Sequence, residues 1–175
     1  LLPMAKSVVR AMDAISEFAA RDLGWTVDGF VVLGASKRGW TTWLTAAVDQ
    51  RVKAIAPIAY DKLALAEQMT HQGKRFGGFT DSISDYTDRG LQAMLETEQG
   101  HLLAEIVDPY SYKDRYALPK LIVRGSNDPY WPVDAMQLYV HSLPGDTWLH
   151  IDPNAGHGLA NYERVLAALG GFYLH

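Results

Sequence analysis

Cysteine is missing from all 175 residues, which excludes disulfides, thiolate catalysis and zinc sites built on Cys. The compartment stays open, because a cysteine-free chain suits oxidising and reducing surroundings alike. No apolar run of about 18 residues occurs, so no membrane span is expected. No signal-peptide pattern opens the chain either, although it starts at Leu1 rather than Met, which is compatible with a leader already removed. Basic charge is in deficit: 16 Lys and Arg stand against 20 Asp and Glu, for a formal charge of −4. The basic residues are scattered rather than gathered in a stripe, so nucleic acid and anionic membrane surfaces are not expected partners. Repeats, linkers, low-complexity tracts, phosphate-binding glycine loops and dinucleotide fingerprints are also lacking.

What remains is an ordinary globular composition, 48% hydrophobic and 21% charged. A chain this long suits one domain that buries roughly 70% of its unfolded surface. In residues 3–23, Met4, Val8, Met12, Ile15, Phe18, Ala19 and Leu23 recur at steps of three or four with charges between them, which predicts an amphipathic helix stopped by Gly24. "FVVLG" (30–34), "VKAIAPIA" (52–59), "KLIVRG" (120–125) and "TWLHI" (147–151) read as strands. Residues 36–48, 132–142 and 158–172 read as helices, the first of them largely buried. Nearly all-apolar strands alternating with helices indicate an α/β fold with a parallel sheet covered on both faces. Residues 60–118 interrupt this rhythm with helical and aromatic stretches, and are expected to form a cap inserted in a single domain spanning 1–175.

The segment "GASKRG" (34–39) places Ser36 between small residues where a strand meets a helix. Such a turn exposes a serine hydroxyl, and the N–H of Lys37, at the start of the helix, is free to face an oxyanion. A serine that opens a helix also serves as a plain N-cap. Two further turns supply partners. Asp128 follows the third strand in "GSNDPYWPVD", and His157 follows the fourth in "DPNAGHGL". All three lie at carboxyl ends of strands, where open parallel sheets place their sites, and in the order Ser, Asp, His that distinguishes α/β-hydrolases. Asp61 is the strongest rival for the acid, while Asp134 and Asp152 read as helix-start and turn residues. His71, His101, His141, His150 and His175 show no metal-type pairing, and no metal or organic cofactor is needed.

"GASKRGWTTWLTAAVDQRVKAIAPI", "DPYSYKDRYALPKLIVRGSNDPYWPVDA" and "NAGHGL" together resemble the PhoPQ-activated pathogenicity-related protein family, a branch of the α/β-hydrolase superfamily. The resemblance covers most of the chain and implies Ser36 as nucleophile, Asp128 as acid and His157 as base. It also implies a bacterial setting, secreted or periplasmic. Two departures accompany it. Arg38 stands where the common Gly-x-Ser-x-Gly elbow has its second glycine, and Gly39 follows. The elbow resembles that of glucuronoyl esterases, which implies that Lys37 or Arg38 adds positive charge near the oxyanion; a solvated surface pair is the other reading. The second departure is that the superfamily's earlier strands, and the loop that supplies a second oxyanion donor, have no counterpart here. The strand at 29–34 is therefore expected to expose an edge, completed by an amino-terminal segment or by another copy of the chain.

The function expected is a serine hydrolase acting on small carboxylic esters through an acyl-enzyme, with Arg38, Tyr130 and Trp131 contacting substrate. Trp40 and Trp43 are expected mainly in the core. A peptidase or amidase with the same three groups, and a catalytically weak binding module on the same fold, are the alternatives.

Overall fold

Four strands, β1 (Phe30–Ala35), β2 (Val52–Ile58), β3 (Lys120–Gly125) and β4 (Thr147–Asp152), pair in chain order into one parallel sheet in a computed structural model that describes residues 1–174. Parallel pairing sets all four carboxyl ends at the same edge. Each strand matches the sequence reading to within a residue or two, because a β-branched run bounded by Gly, Pro or Asp has few alternatives.

Helices cover the sheet as an α/β-hydrolase-like fold requires. Helix α1 (Leu2–Phe18) ends in a π-helical turn, Ala19–Leu23, and Gly24 stops it at φ 68. Helix α2 (Lys37–Val48) runs directly out of β1, and every residue from Gly39 to Ala47 is buried, as its lack of charge predicts. On this face Trp43, Leu44, Val52, Ile55 and Ile122 form the main core. Trp43 meets Tyr116 edge-on at 4.9 Å, a pairing worth about 0.5–1.5 kcal/mol beyond its buried area. On the other face Ala56, Leu121 and Val123 pack against Val165 of helix α7 (Tyr162–Leu174).

The segment between β2 and β3 is helical: α3 (Leu65–Phe76), the short α4 (Ser84–Thr87) and α5 (Leu91–Met94), and α6 (Glu98–Val107). Thr97 caps α6 by accepting the Gly100 N–H at 3.1 Å. Beneath these helices Leu65, Met69, Ile83, Leu95 and Trp131 make a second core.

Three expectations are corrected. Residues 132–142 form two 3-10 turns, Ala135–Leu138 and Val140–Ser142, rather than one helix. Tyr139 is drawn into the core, where its hydroxyl donates to Asp61 at 2.7 Å, and its backbone at φ −139 leaves the helical region. The last helix starts at Tyr162 rather than 158, because the N–H groups of Ala160 and Asn161 turn inward to the buried Asp152 carboxylate. In α1 the buried seam is Ala5 and Met12, while Ile15 and Phe18 stay about half exposed because the helix packs chiefly along α2.

Strand β1 pairs with β2 alone, and its Val31 and Leu33 are 37% and 57% exposed. The expected open edge is there. His175 lies outside the described residues.

Two basic side chains, Arg124 and Lys120, sit fully inside. Arg124 pairs with Asp61 at 2.5 Å. Burial pushes the Asp61 carboxyl above the usual range, against the pull of Arg124 and the Tyr139 hydroxyl. Lys120 donates to the carbonyls of Tyr116, Leu118 and Pro144 at 2.7, 2.9 and 2.6 Å, so all three ammonium protons are accepted. Lys120→Met should lower unfolding free energy by about 3 kcal/mol, since three buried carbonyls lose their donor; urea denaturation measures it.

Candidate active site

Ser36 is the hinge between β1 and α2. Its backbone lies at φ 57, ψ −122, a left-handed conformation costing a non-glycine residue about 1–3 kcal/mol. Two contacts hold it there: the Ser36 N–H donates to Ile58 of β2 at 2.9 Å, and its carbonyl accepts from Trp40 at 3.1 Å. The flanking glycines are set by space. A Cβ on Gly34 would meet the Arg38 carbonyl oxygen at 2.7 Å, and one on Gly39 would meet the Tyr60 Cβ at 2.9 Å and the Ile58 carbonyl at 3.0 Å. The close approach that the Gly-x-Ser-x-Gly pattern assigns to its second glycine falls here on Gly39. Arg38 then points outward and is exposed.

Asp128 lies just beyond β3 and His157 just beyond β4. The two loops are tied together: the Asn127 N–H donates to the Ala155 carbonyl at 2.8 Å, and the Asn154 N–H donates to the Ser126 hydroxyl at 2.8 Å. Gly125 permits this, because any side chain there would collide with the carbonyls of Ala155 and Gly156. Asp152 braces the far side by accepting from Ala160 and Asn161 at 2.8 and 2.9 Å, and those N–H groups hold its carboxyl below the usual range.

In this frame His157 Nδ1 lies 2.8 Å from Asp128 Oδ2 and His157 Nε2 lies 2.9 Å from Ser36 Oγ. Asp128 is a carboxylate acceptor, so Nδ1 carries the proton and Nε2 offers its lone pair to the Ser36 hydroxyl. Asp128 is buried and also accepts the Tyr130 N–H at 2.9 Å, which fixes its second oxygen. The Tyr130 ring lies 4.3 Å from the imidazole, centroid to centroid.

The rival acids are occupied elsewhere. Asp61 is bound to Arg124 and Tyr139, Asp152 to backbone, and Asp134 to His71 at 2.9 Å and to Arg75. Among the described residues no group of three His, Asp or Glu side chains could hold a metal ion.

A cavity of about 100 Å³ opens beside Ser36 and His157. Lys37, Tyr130 and Trp131 line it, and so do Trp40, Tyr60, Lys62 and Tyr86. Arg38 does not line it: its side chain is exposed, on the solvent side of the turn, because Gly39 holds the inner position. Trp43 is wholly in the core, whereas Trp40 stacks on Tyr60 at 5.4 Å and donates to the Val107 carbonyl at 2.6 Å, holding α2 to the end of α6. The sequence reading missed Lys62, Tyr60 and Tyr86. The available signal for the first two was their place just past β2, at the same sheet edge as the other site residues.

The parallel sheet, the strained serine turn and the flanking helices define an α/β-hydrolase fold. The chain belongs to the PhoPQ-activated pathogenicity-related protein family, whose model matches residues 1–175. It is 41% identical over 164 residues to autocrine proliferation repressor protein A of Dictyostelium discoideum, covering 93% of this chain and 33% of that protein. The chain thus spans about a third of that relative, and a bacterial setting does not follow from family membership alone. Among solved structures, it superposes on an acetyl xylan esterase from Paenibacillus sp. R4 with a TM-score of 0.66, 16% identity and coverage of 97% and 51% of the two chains. It also superposes on a puromycin-hydrolyzing peptidase of Mycobacterium tuberculosis with a TM-score of 0.57, 22% identity and coverage of 86% and 22%. At these identities the likeness is one of fold.

Gly34→Ala should destabilise the protein by about 1–3 kcal/mol, because the new methyl meets the backbone of α2 rather than a movable side chain. The shift in thermal or denaturant midpoint measures this.

Proposed function

We propose that the protein is a serine hydrolase acting on small carboxylic esters, with Ser36 as nucleophile, His157 as general base and Asp128 orienting the imidazole. The observation that carries this reading is the hydrogen-bonded chain Ser36 Oγ, His157 Nε2 and Nδ1, Asp128 Oδ2, with links of 2.9 and 2.8 Å.

The chemistry follows from the geometry. As Ser36 Oγ bonds to the acyl carbon, its proton passes to His157 Nε2, and Asp128 stabilises the imidazolium. The carbonyl π pair moves onto oxygen beside the Lys37 N–H, which opens α2 and has no intrahelical acceptor. Collapse breaks the bond to the leaving alkoxide, which takes the proton from Nε2 and departs as alcohol. Water repeats the sequence, giving its proton to Nε2, releasing the carboxylic acid and returning the proton to Ser36. The helical segment from about 60 to 118 acts as the cap, supplying Tyr60, Lys62 and Tyr86 to the cavity. An ester suits a site with one donor at the elbow better than an amide does, because an alkoxide leaves with less help than an amine. An extracellular or periplasmic setting belongs to the same proposal and rests on the family resemblance.

A second reading, a binding protein on a hydrolase fold, is favoured by the name of the Dictyostelium relative, which denotes a repressor of proliferation rather than an enzyme.

Intact-mass analysis after fluorophosphonate treatment separates the two. One adduct, mapped to Ser36 and lost in Ser36→Ala and His157→Ala, is expected, whereas a folded protein that stays unlabelled would favour the binding reading. Asp128→Asn should lower esterase kcat by about 10⁴-fold, because an Asn side chain no longer selects the Nδ1–H tautomer. Matched ester and amide substrates compare the remaining alternative, a peptidase or amidase.

A further inference from the structure

Lys62 is 6% exposed and lines the cavity beside Ser36. Its Nζ lies over the rings of Tyr86, Trp40 and Trp131, at 3.7, 5.1 and 5.8 Å from their centroids. Aromatic faces attract a cation but offer no lone pair for its N–H groups. Among the described residues no hydrogen bond or ion pair reaches Nζ.

The contrast with Lys120 is direct. Both are buried lysines, yet Lys120 has three carbonyl acceptors and Lys62 has none. The Lys62 stem is buried while its ammonium, given no acceptor by the chain, is left to whatever occupies the cavity it lines.

The surroundings narrow what that is. Asp108 is the carboxylate that acts on Lys62 through space, but its oxygens already accept the N–H groups of Leu65 and Tyr110 at 2.6 and 2.9 Å. Asp85 lines the same cavity, but its side chain is 85% exposed and lies beside Arg89, so solvent screens its charge. On its other side Lys62 borders a second chamber, of about 90 Å³, lined by Leu65, Met69, Leu95 and other apolar side chains. The polar exception there, Gln92 Oε1, has no hydrogen-bond partner. The open polar side of the ammonium is the catalytic cavity, where Lys37 adds a second positive charge.

We propose that Lys62 is an anion-recognition residue, and that the substrate is a small ester carrying a carboxylate that pairs with its ammonium. This rests on the hydrolase reading and deepens it by naming the substrate class. Burial already lowers the Lys62 ammonium to about 8, against the pull of Asp108, and a bound carboxylate would raise it. A cavity far smaller than a drug-sized pocket suits a short acyl or alkyl group.

The test uses two matched pairs, which separate an anion on the acyl side from one on the alcohol side: monoethyl glutarate against ethyl pentanoate, and 3-acetoxypropanoate against propyl acetate. In at least one pair the charged ester should have a kcat/KM about tenfold or more above its neutral partner, the size expected for a charge-assisted hydrogen bond. In Lys62→Met that ratio should fall to near one. Replacing an unpaired buried charge by an apolar side chain of similar length should leave the protein folded and melting at or above the wild-type temperature. No preference in either pair, or a preference that survives in Lys62→Met, overturns the proposal.

A second measurement does not depend on turnover. Trp40 and Trp131 flank Lys62, so titrating wild-type protein with glutarate should give a saturable change in tryptophan fluorescence that pentanamide does not. Glutarate binding without fluorophosphonate labelling would remove the hydrolase reading and keep the anion site. Labelling of Ser36 with neither glutarate binding nor charge preference would keep the hydrolase and remove the anion site.

Discussion

The left-handed backbone of Ser36 is the constraint on which the site depends. It lets β1 turn into α2 within one residue, which puts the serine hydroxyl above the sheet edge and the first free N–H of the helix beside it. The strain is held by bonds on both sides, from β2 to the Ser36 N–H and from the Ser36 carbonyl into α2. It also dictates composition. Gly34 and Gly39 have no room for side chains, so the bulky Lys37 and Arg38 must leave the turn outward or along its rim.

The other two residues of the hydrogen-bonded chain are positioned by a different device. Asp128 and His157 sit on loops that would be free to wander, but β3 and β4 run side by side and their following loops are stitched backbone to backbone through Asn127 and Ala155. Asp152 fixes the residues after His157 from beneath. Sheet register therefore sets the distance between the carboxylate and the imidazole, and the elbow in the neighbouring strand pair brings the hydroxyl to the third position.

The interior handles its basic side chains in three ways. Arg124 and Asp61 neutralise each other, with Tyr139 taking the remaining carboxylate oxygen. Lys120 is solvated by carbonyls. Lys62 is held by aromatic rings and otherwise open to the cavity. The first two complete the fold without help, and the third is the one that faces the site. Tyr139 shows what the first costs locally: reaching Asp61 breaks what the sequence pattern reads as one helix into two short turns.

By itself the sequence determined the strands, the buried helix α2 and the positions of Ser36, Asp128 and His157, because these are local properties. Apolar runs between turn residues make strands whatever surrounds them, and glycines beside a serine at a strand end are legible as a turn. The same local logic does not tell which glycine of "GASKRG" makes the close approach, since that is settled by Tyr60 and the Ile58 carbonyl of the next strand. Only the tertiary structure shows which of Asp61, Asp128, Asp134 and Asp152 meets His157, by bringing Asp128 to it and giving the other three different partners. Lys62 was illegible for the same reason. A lysine in sequence carries a charge, but whether that charge is solvated, paired or left without an acceptor depends on groups far along the chain, and folding alone brings them together.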